Sequence, residues 1–173
     1  MKELAWIFSA YVAMALLSPL LGRLDSQVYA PDVALLTALY AGSRSRGEAA
    51  VLCGFAIGLL KDGFSLSAPV GIYTEICTLT VYMTGFLQTR VDLFSPVPLM
   101  ATAAGWSLVS TGLFLIGEAV FHRTFSGYAE VLTTAMPLAL TTMLLAPVWF
   151  GLLDRWTSRL EPRHKGSALL RSR

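Results

Sequence analysis

Few ionisable side chains stand within apolar sequence, and each implies its own chemistry. Glu75 lies about one and a half helical turns, roughly 7–8 Å, inside an apolar run that begins at residue 70. An acid at that depth either pairs within a bundle or belongs to a ligand or protein contact. Asp32 follows Pro31 at the head of another run. Proline tolerates the first helical turn and an acid there complements the helix dipole, so the two read as a capping device. Asp62 falls just past the end of a third run, beside Lys61, where the dipole disfavours an anion. The spacing favours a solvated loop carboxylate at Asp62. The alternative is that it caps the next helix or pins the loop 63–69.

Nucleophilic and metal chemistry find little to work with. His122 and His164 fall in an outer loop and in the tail, and no His, Cys and Asp residues have metal-ligand spacing. Cys53 and Cys77 lie within apolar runs, where free thiols behave as small hydrophobes. No glycine-rich loop precedes a lysine and a hydroxyl residue in the order that holds phosphate. The expectation is therefore a non-enzymatic protein with no cofactor and no metal. Ala5, Ser9 and Ala13 share one helix face, and Ala50, Gly54 and Gly58 share another. Small residues four apart admit a second helix to backbone contact, either from the same chain or from a docking partner.

The elements that must position these residues follow from composition. Of 173 residues, 55% are hydrophobic and only 14% charged, against about a quarter charged in soluble domains. Disorder and a disulfide scaffold are excluded, the latter because there are two cysteines. Apolar runs span 4–21, 28–41, 49–60, 70–87, 97–121 and 131–153, divided by charges, glycines and prolines. The second and third are short for a crossing that needs roughly 20 residues. With both ends inside, the inner segments hold ten of the Lys and Arg residues and the outer loops three. That asymmetry follows the positive-inside rule. The reading is an all-α integral membrane protein, six transmembrane helices in one compact bundle over residues 1–155, with a basic cytoplasmic tail at 156–173. The first run, at 18 apolar residues, exceeds a signal core of roughly 7–15 and reads as a membrane helix. Pro137 and Pro147 predict a kinked sixth helix, and Trp149, Trp156 and Tyr128 suit interfacial anchoring.

Three short segments carry a family resemblance. Pro31-Asp32-Val33-Ala34-Leu35-Leu36, then Gly54-Phe55-Ala56-Ile57-Gly58-Leu59-Leu60-Lys61-Asp62, then Pro69-Val70-Gly71 resemble the pattern of the MreD family, rod shape-determining inner-membrane proteins of bacteria. Length, six spans and a basic tail agree with it. The resemblance implies a scaffold of the cell-elongation machinery. Its implied partners are an MreC-like bitopic protein, a peptidoglycan polymerase and transpeptidase, an actin-like cytoplasmic filament and membrane lipids. It also implies a fold similar to the substrate-binding subunits of energy-coupling-factor vitamin transporters. Glu75 departs from the pattern, which has an uncharged residue at that place.

Two functions compete on these grounds. In a scaffold, the small-residue faces dock partner helices while the tail engages filament or lipid. In a transporter's substrate-binding subunit, ligand sits near the outer face, with Glu75 or Asp62 as polar contacts. The sparse polar side chains weigh against the second, since a water-soluble vitamin needs several converging hydrogen-bonding groups. An ion channel has only Glu75 in its favour.

Overall fold

Helices form between the proline and glycine punctuation marks. The computed structural model describes residues 2–23, 30–45, 47–65, 71–93, 95–121 and 128–160. Among them are six helices and no strand: α1 Lys2–Arg23, α2 Val33–Arg44, α3 Glu48–Phe64, α4 Ile72–Leu87, α5 Pro96–Phe121 and α6 Tyr128–Leu160. Each of the six apolar runs becomes one helix. The third is longer than its apolar stretch because α3 continues through Lys61 and Asp62 to Phe64. The sixth continues past residue 155 to Leu160, so the start of the basic segment is helical and belongs to the bundle. Pro137 and Pro147 both lie within α6, which runs through them as one element.

α2 occupies the centre. Every residue from Val33 to Gly42 is buried, against α1, α3, α4 and α6 and, more lightly, α5. Twelve residues make it about 18 Å long, and protein surrounds it on all sides. The core around it joins Trp6 and Ala10 of α1, Cys53 and Ile57 of α3, Cys77 and Val81 of α4, and Phe150 and Leu153 of α6. Tyr40 stands edge-on to Trp6 and to Phe150, with ring centroids 5.3 and 5.2 Å away.

The α3–α4 crossing depends on missing side chains. A Cβ on Gly58 would stand 2.5 Å from the Thr74 Cα and 2.7 Å from the Tyr73 carbonyl. One on Gly54 would stand 2.6 Å from Val81 Cγ2. Gly42 of α2 meets α4 in the same way, 2.7 Å from the Val81 carbonyl. These glycines bring three backbones together.

α5 and α6 pack along each other, and both are long and apolar enough to cross a membrane. Down the outside of α6 run Leu132, Met136, Leu140, Leu144, Val148 and Leu152, four apart and all exposed. The buried positions, by contrast, include Thr37, Thr80, Thr84, Ser107 and Thr142.

Candidate functional site

Two clusters of polar side chains lie at the two ends of α2. At its start Asp32 is the N-cap: its Oδ1 accepts from the Leu35 N–H at 3.0 Å, satisfying one of the orphan donors of the first turn. Its other carboxylate oxygen accepts from the Lys61 ammonium, which reaches across from the last turn of α3. The Asp32 N–H donates to the buried Thr142 hydroxyl of α6 at 3.1 Å. The capping device read from Pro31-Asp32 therefore also ties α2 to α3 and α6.

Lys61 and Asp62 are neighbours in sequence and serve different helices. The Lys61 ammonium lies 4.2 Å from the centroid of the Tyr73 ring, on α4, as well as on Asp32. Tyr73 in turn stacks on Phe114 of α5, 5.7 Å between centroids and 17° between planes. Asp62 turns the other way. Its two carboxylate oxygens accept from the Tyr73 N–H at 3.1 Å, the Thr74 N–H at 3.0 Å and the Thr74 hydroxyl. The N-cap of α4 is Gly71, at φ 107°, a left-handed position that suits glycine and offers no capping side chain. Asp62 supplies the missing cap from the neighbouring helix.

The favoured expectation for Asp62, a solvated loop carboxylate, is thereby corrected: the residue is 7% exposed and helical. The positive end of α4 offsets the unfavourable dipole of α3. Pro69 lies outside the described residues. Glu75 is exposed and in the first turn of α4, closer to the helix start than the apolar run suggested, where an acid complements the dipole. Its N–H donates to the Gly71 carbonyl at 3.0 Å.

Of the two small-residue faces, Ala50, Gly54 and Gly58 are buried, and the two glycines pack against α4 within the chain. Ala5, Ser9 and Ala13 are half-buried, at the margin of the α1 face that carries Trp6 and Ala10 into the core. The Ser9 hydroxyl donates to the Trp6 carbonyl.

A second cluster closes the other end of α2, and the sequence reading did not anticipate it. The Tyr40 hydroxyl and the Arg44 guanidinium each donate to Asp154 of α6, at 2.7 Å. Arg44 also stands over the Tyr40 ring. Thr157 accepts from the Trp6 indole N–H at 3.0 Å, which joins α1 to the same cluster. Trp149, expected at an interface, is half-buried and donates to the Thr37 hydroxyl of α2 at 3.0 Å. A topology signal for both clusters was present. Six helices alternating in direction put residues 32 and 61 at one level, and 44 and 154 at the other.

Two cavities flank the Asp32–Lys61 pair. One of about 330 Å³ opens toward α1, with Met14, Leu17, Pro31 and Phe64 in its walls. The other, about 160 Å³, lies toward α5 and α6, with Ser110, Thr111 and Thr134. Tyr73 borders both, and neither is lined by Asp62 or Glu75. Among the described residues no three His, Cys, Asp or Glu side chains come together as a metal set. No family model, curated protein or solved structure matches the chain.

Proposed function

We propose that this chain is a six-span inner-membrane protein of the bacterial cell-elongation machinery, a non-enzymatic scaffold with both termini in the cytoplasm. The observation that carries the reading is the convergence of the residues behind the MreD-like pattern. Lys61 pairs with the Asp32 cap of α2, and its neighbour Asp62 caps α4 where Gly71 cannot, so positions spread over 40 residues of sequence fix α2, α3 and α4. A pattern of apolar composition alone would have no reason to give these positions linked capping roles. The polarity of the surface supports the membrane part: leucines and phenylalanines lie outside while threonines and an ion pair lie within.

In this reading the polar clusters are internal bolts that hold a rigid body. Its outer faces, Ala5, Ser9 and Ala13 among them, meet the partner helices of an MreC-like bitopic protein and of a peptidoglycan polymerase and transpeptidase. The basic tail faces the actin-like filament and anionic lipid heads. Several weak contacts on one body raise the effective concentration of each partner for the next.

The test is gentle detergent extraction from the native membrane with mass spectrometry of the co-purified proteins. A bitopic coiled-coil protein and a cell-wall synthase are the expected companions. ATPases with a coupling subunit, or a bound vitamin, would instead establish the transporter reading. That alternative keeps one observation in its favour, the roughly 330 Å³ cavity beside Asp32 and Lys61, which is at the small end for a ligand site. Its expected polar contacts, Asp62 and Glu75, line neither cavity.

A further inference from the structure

Two apolar stripes run side by side on the outside of α3 and α4. On α3 the exposed side chains include Glu48, Leu52, Phe55 and Leu59, and on α4 Glu75, Leu79, Tyr82 and Phe86. Both sets are spaced four, three and four apart, which keeps them in line as the seam of a left-handed helix packing. The exposed row on α6 steps by four throughout, so it winds round its helix instead. At the Glu48 end a groove of about 750 Å³ separates the stripes, with the small residues Ala50 and Gly85 between the larger Leu52, Tyr82 and Phe86. Small residues between large apolar walls admit a further helix to close contact.

Glu75 sets the chemistry of the occupant. It stays outside both polar clusters, exposed on the first turn of α4, and among the described residues no cation pairs with it. Along α4 it stands about 18 Å from Leu87, within a hydrocarbon core about 30 Å deep. Lipid alone must therefore thin around this face or leave a carboxylate in an apolar medium. A second copy of the chain fares no better. Copies that share one orientation in a membrane are related about the membrane normal, which sets Glu75 against Glu75 at one level. A lone helix that carries Lys or Arg at that level fills the groove and neutralises the acid.

We propose that the α3–α4 face docks one membrane-crossing helix of a different protein, with apolar side chains in the groove and a Lys or Arg on Glu75. The proposal rests on the membrane part of the function proposed above and is independent of the cell-elongation part. It gives the molecule a docking face apart from Ala5, Ser9 and Ala13.

The test places the photo-crosslinking residue benzoylphenylalanine at Leu79, Tyr82, Leu140 or Leu144 of the full chain in its native membrane. Leu79 and Tyr82 should capture the same polypeptide, each joined within one apolar stretch of about 20 residues. Leu79 lies one turn from Glu75, so its adduct should fall within about a turn of a Lys or Arg. Leu140 and Leu144, exposed on α6, should yield lipid adducts alone. Glu75→Gln should cut the yield at Tyr82 at least about fivefold, and Glu75→Asp should keep most of it. Both variants should melt within a few degrees of the parent, since the side chain is exposed. Adducts between two copies of this chain, lipid adducts alone at Leu79 and Tyr82, or an undiminished yield from Glu75→Gln overturn the proposal. A captured helix that belongs to a protein outside cell-wall synthesis upholds this surface and removes the cell-elongation reading, which separates the two failures.

Discussion

At the scale of single residues, Lys61 and Asp62 do the most with the least sequence. From adjacent positions the two serve different helices: Lys61 pairs with the Asp32 cap of α2, and Asp62 supplies α4 with the cap that Gly71 cannot. Asp62→Ala removes three accepted hydrogen bonds and orphans two N–H groups at the start of α4. Lost caps cost about 0.5–2 kcal/mol, and buried orphan donors add to that, so a loss of about 2–3 kcal/mol is expected. Asp62→Asn keeps one acceptor and should fall between that variant and the parent when melting is followed in detergent. The Lys61–Asp32 pair calls for a double-mutant cycle. Its side chains are 21% and 11% exposed, so water screens it in part. Breaking it with Lys61→Met should cost about 2–3 kcal/mol, below the roughly 3–5 of a fully buried pair. Adding Asp32→Asn should recover part of the loss, because an uncompensated carboxylate is then removed while the amide oxygen still caps α2. If the double variant is as unstable as the sum of the singles, the pair is not coupled in the way the geometry implies.

At the scale of elements, the glycines of α3 distinguish close packing from open space. Gly58→Ala sets a Cβ against backbone atoms of α4 that have nowhere to go, whereas Gly54→Ala meets chiefly one methyl of Val81. The first should therefore lower the melting temperature more than the second. Gly112→Ala, where a Cβ meets nothing within 4 Å, should raise stability by up to about 1 kcal/mol through helix propensity. All three are read from thermal melts at one detergent concentration. The existence and order of the six helices were legible in the sequence because apolar runs and punctuation coincide. The ends of α3 and α6 were less so, since both continue through charged residues that find partners in the fold. The small-residue spacing of Ala50, Gly54 and Gly58 showed a crossing without showing whose helix crosses. Asp62 could not be placed from sequence either, because its cap acts on Tyr73 and Thr74 across a turn, and α3's own dipole argues the opposite way. The Tyr40–Arg44–Asp154 cluster needed α6 brought back to α2, over a separation of more than a hundred residues.

At the scale of the whole molecule, the exposed row on α6 spans about 30 Å, 20 residues at 1.5 Å each, which matches a bilayer's hydrocarbon core. Leu144 stands near the middle of that row. In lipid, Leu144→Arg should cost about 2.5–3.5 kcal/mol of insertion and lower the membrane-bound yield; in water the same change would be neutral or improve solubility. Orientation can then be read with single cysteines at exposed positions, since Cys53 and Cys77 are buried and add little background. Gly63 lies at the Lys61 end, and Thr89 and Ser158 lie beyond the Arg44 end. With ten inner against three outer basic residues, a membrane-impermeant maleimide should label Gly63→Cys on intact spheroplasts. Thr89→Cys and Ser158→Cys should react only after permeabilisation. The reverse pattern would invert the molecule. Labelling of all three only after permeabilisation would leave no site outside and would remove the crossing at α3 and α4.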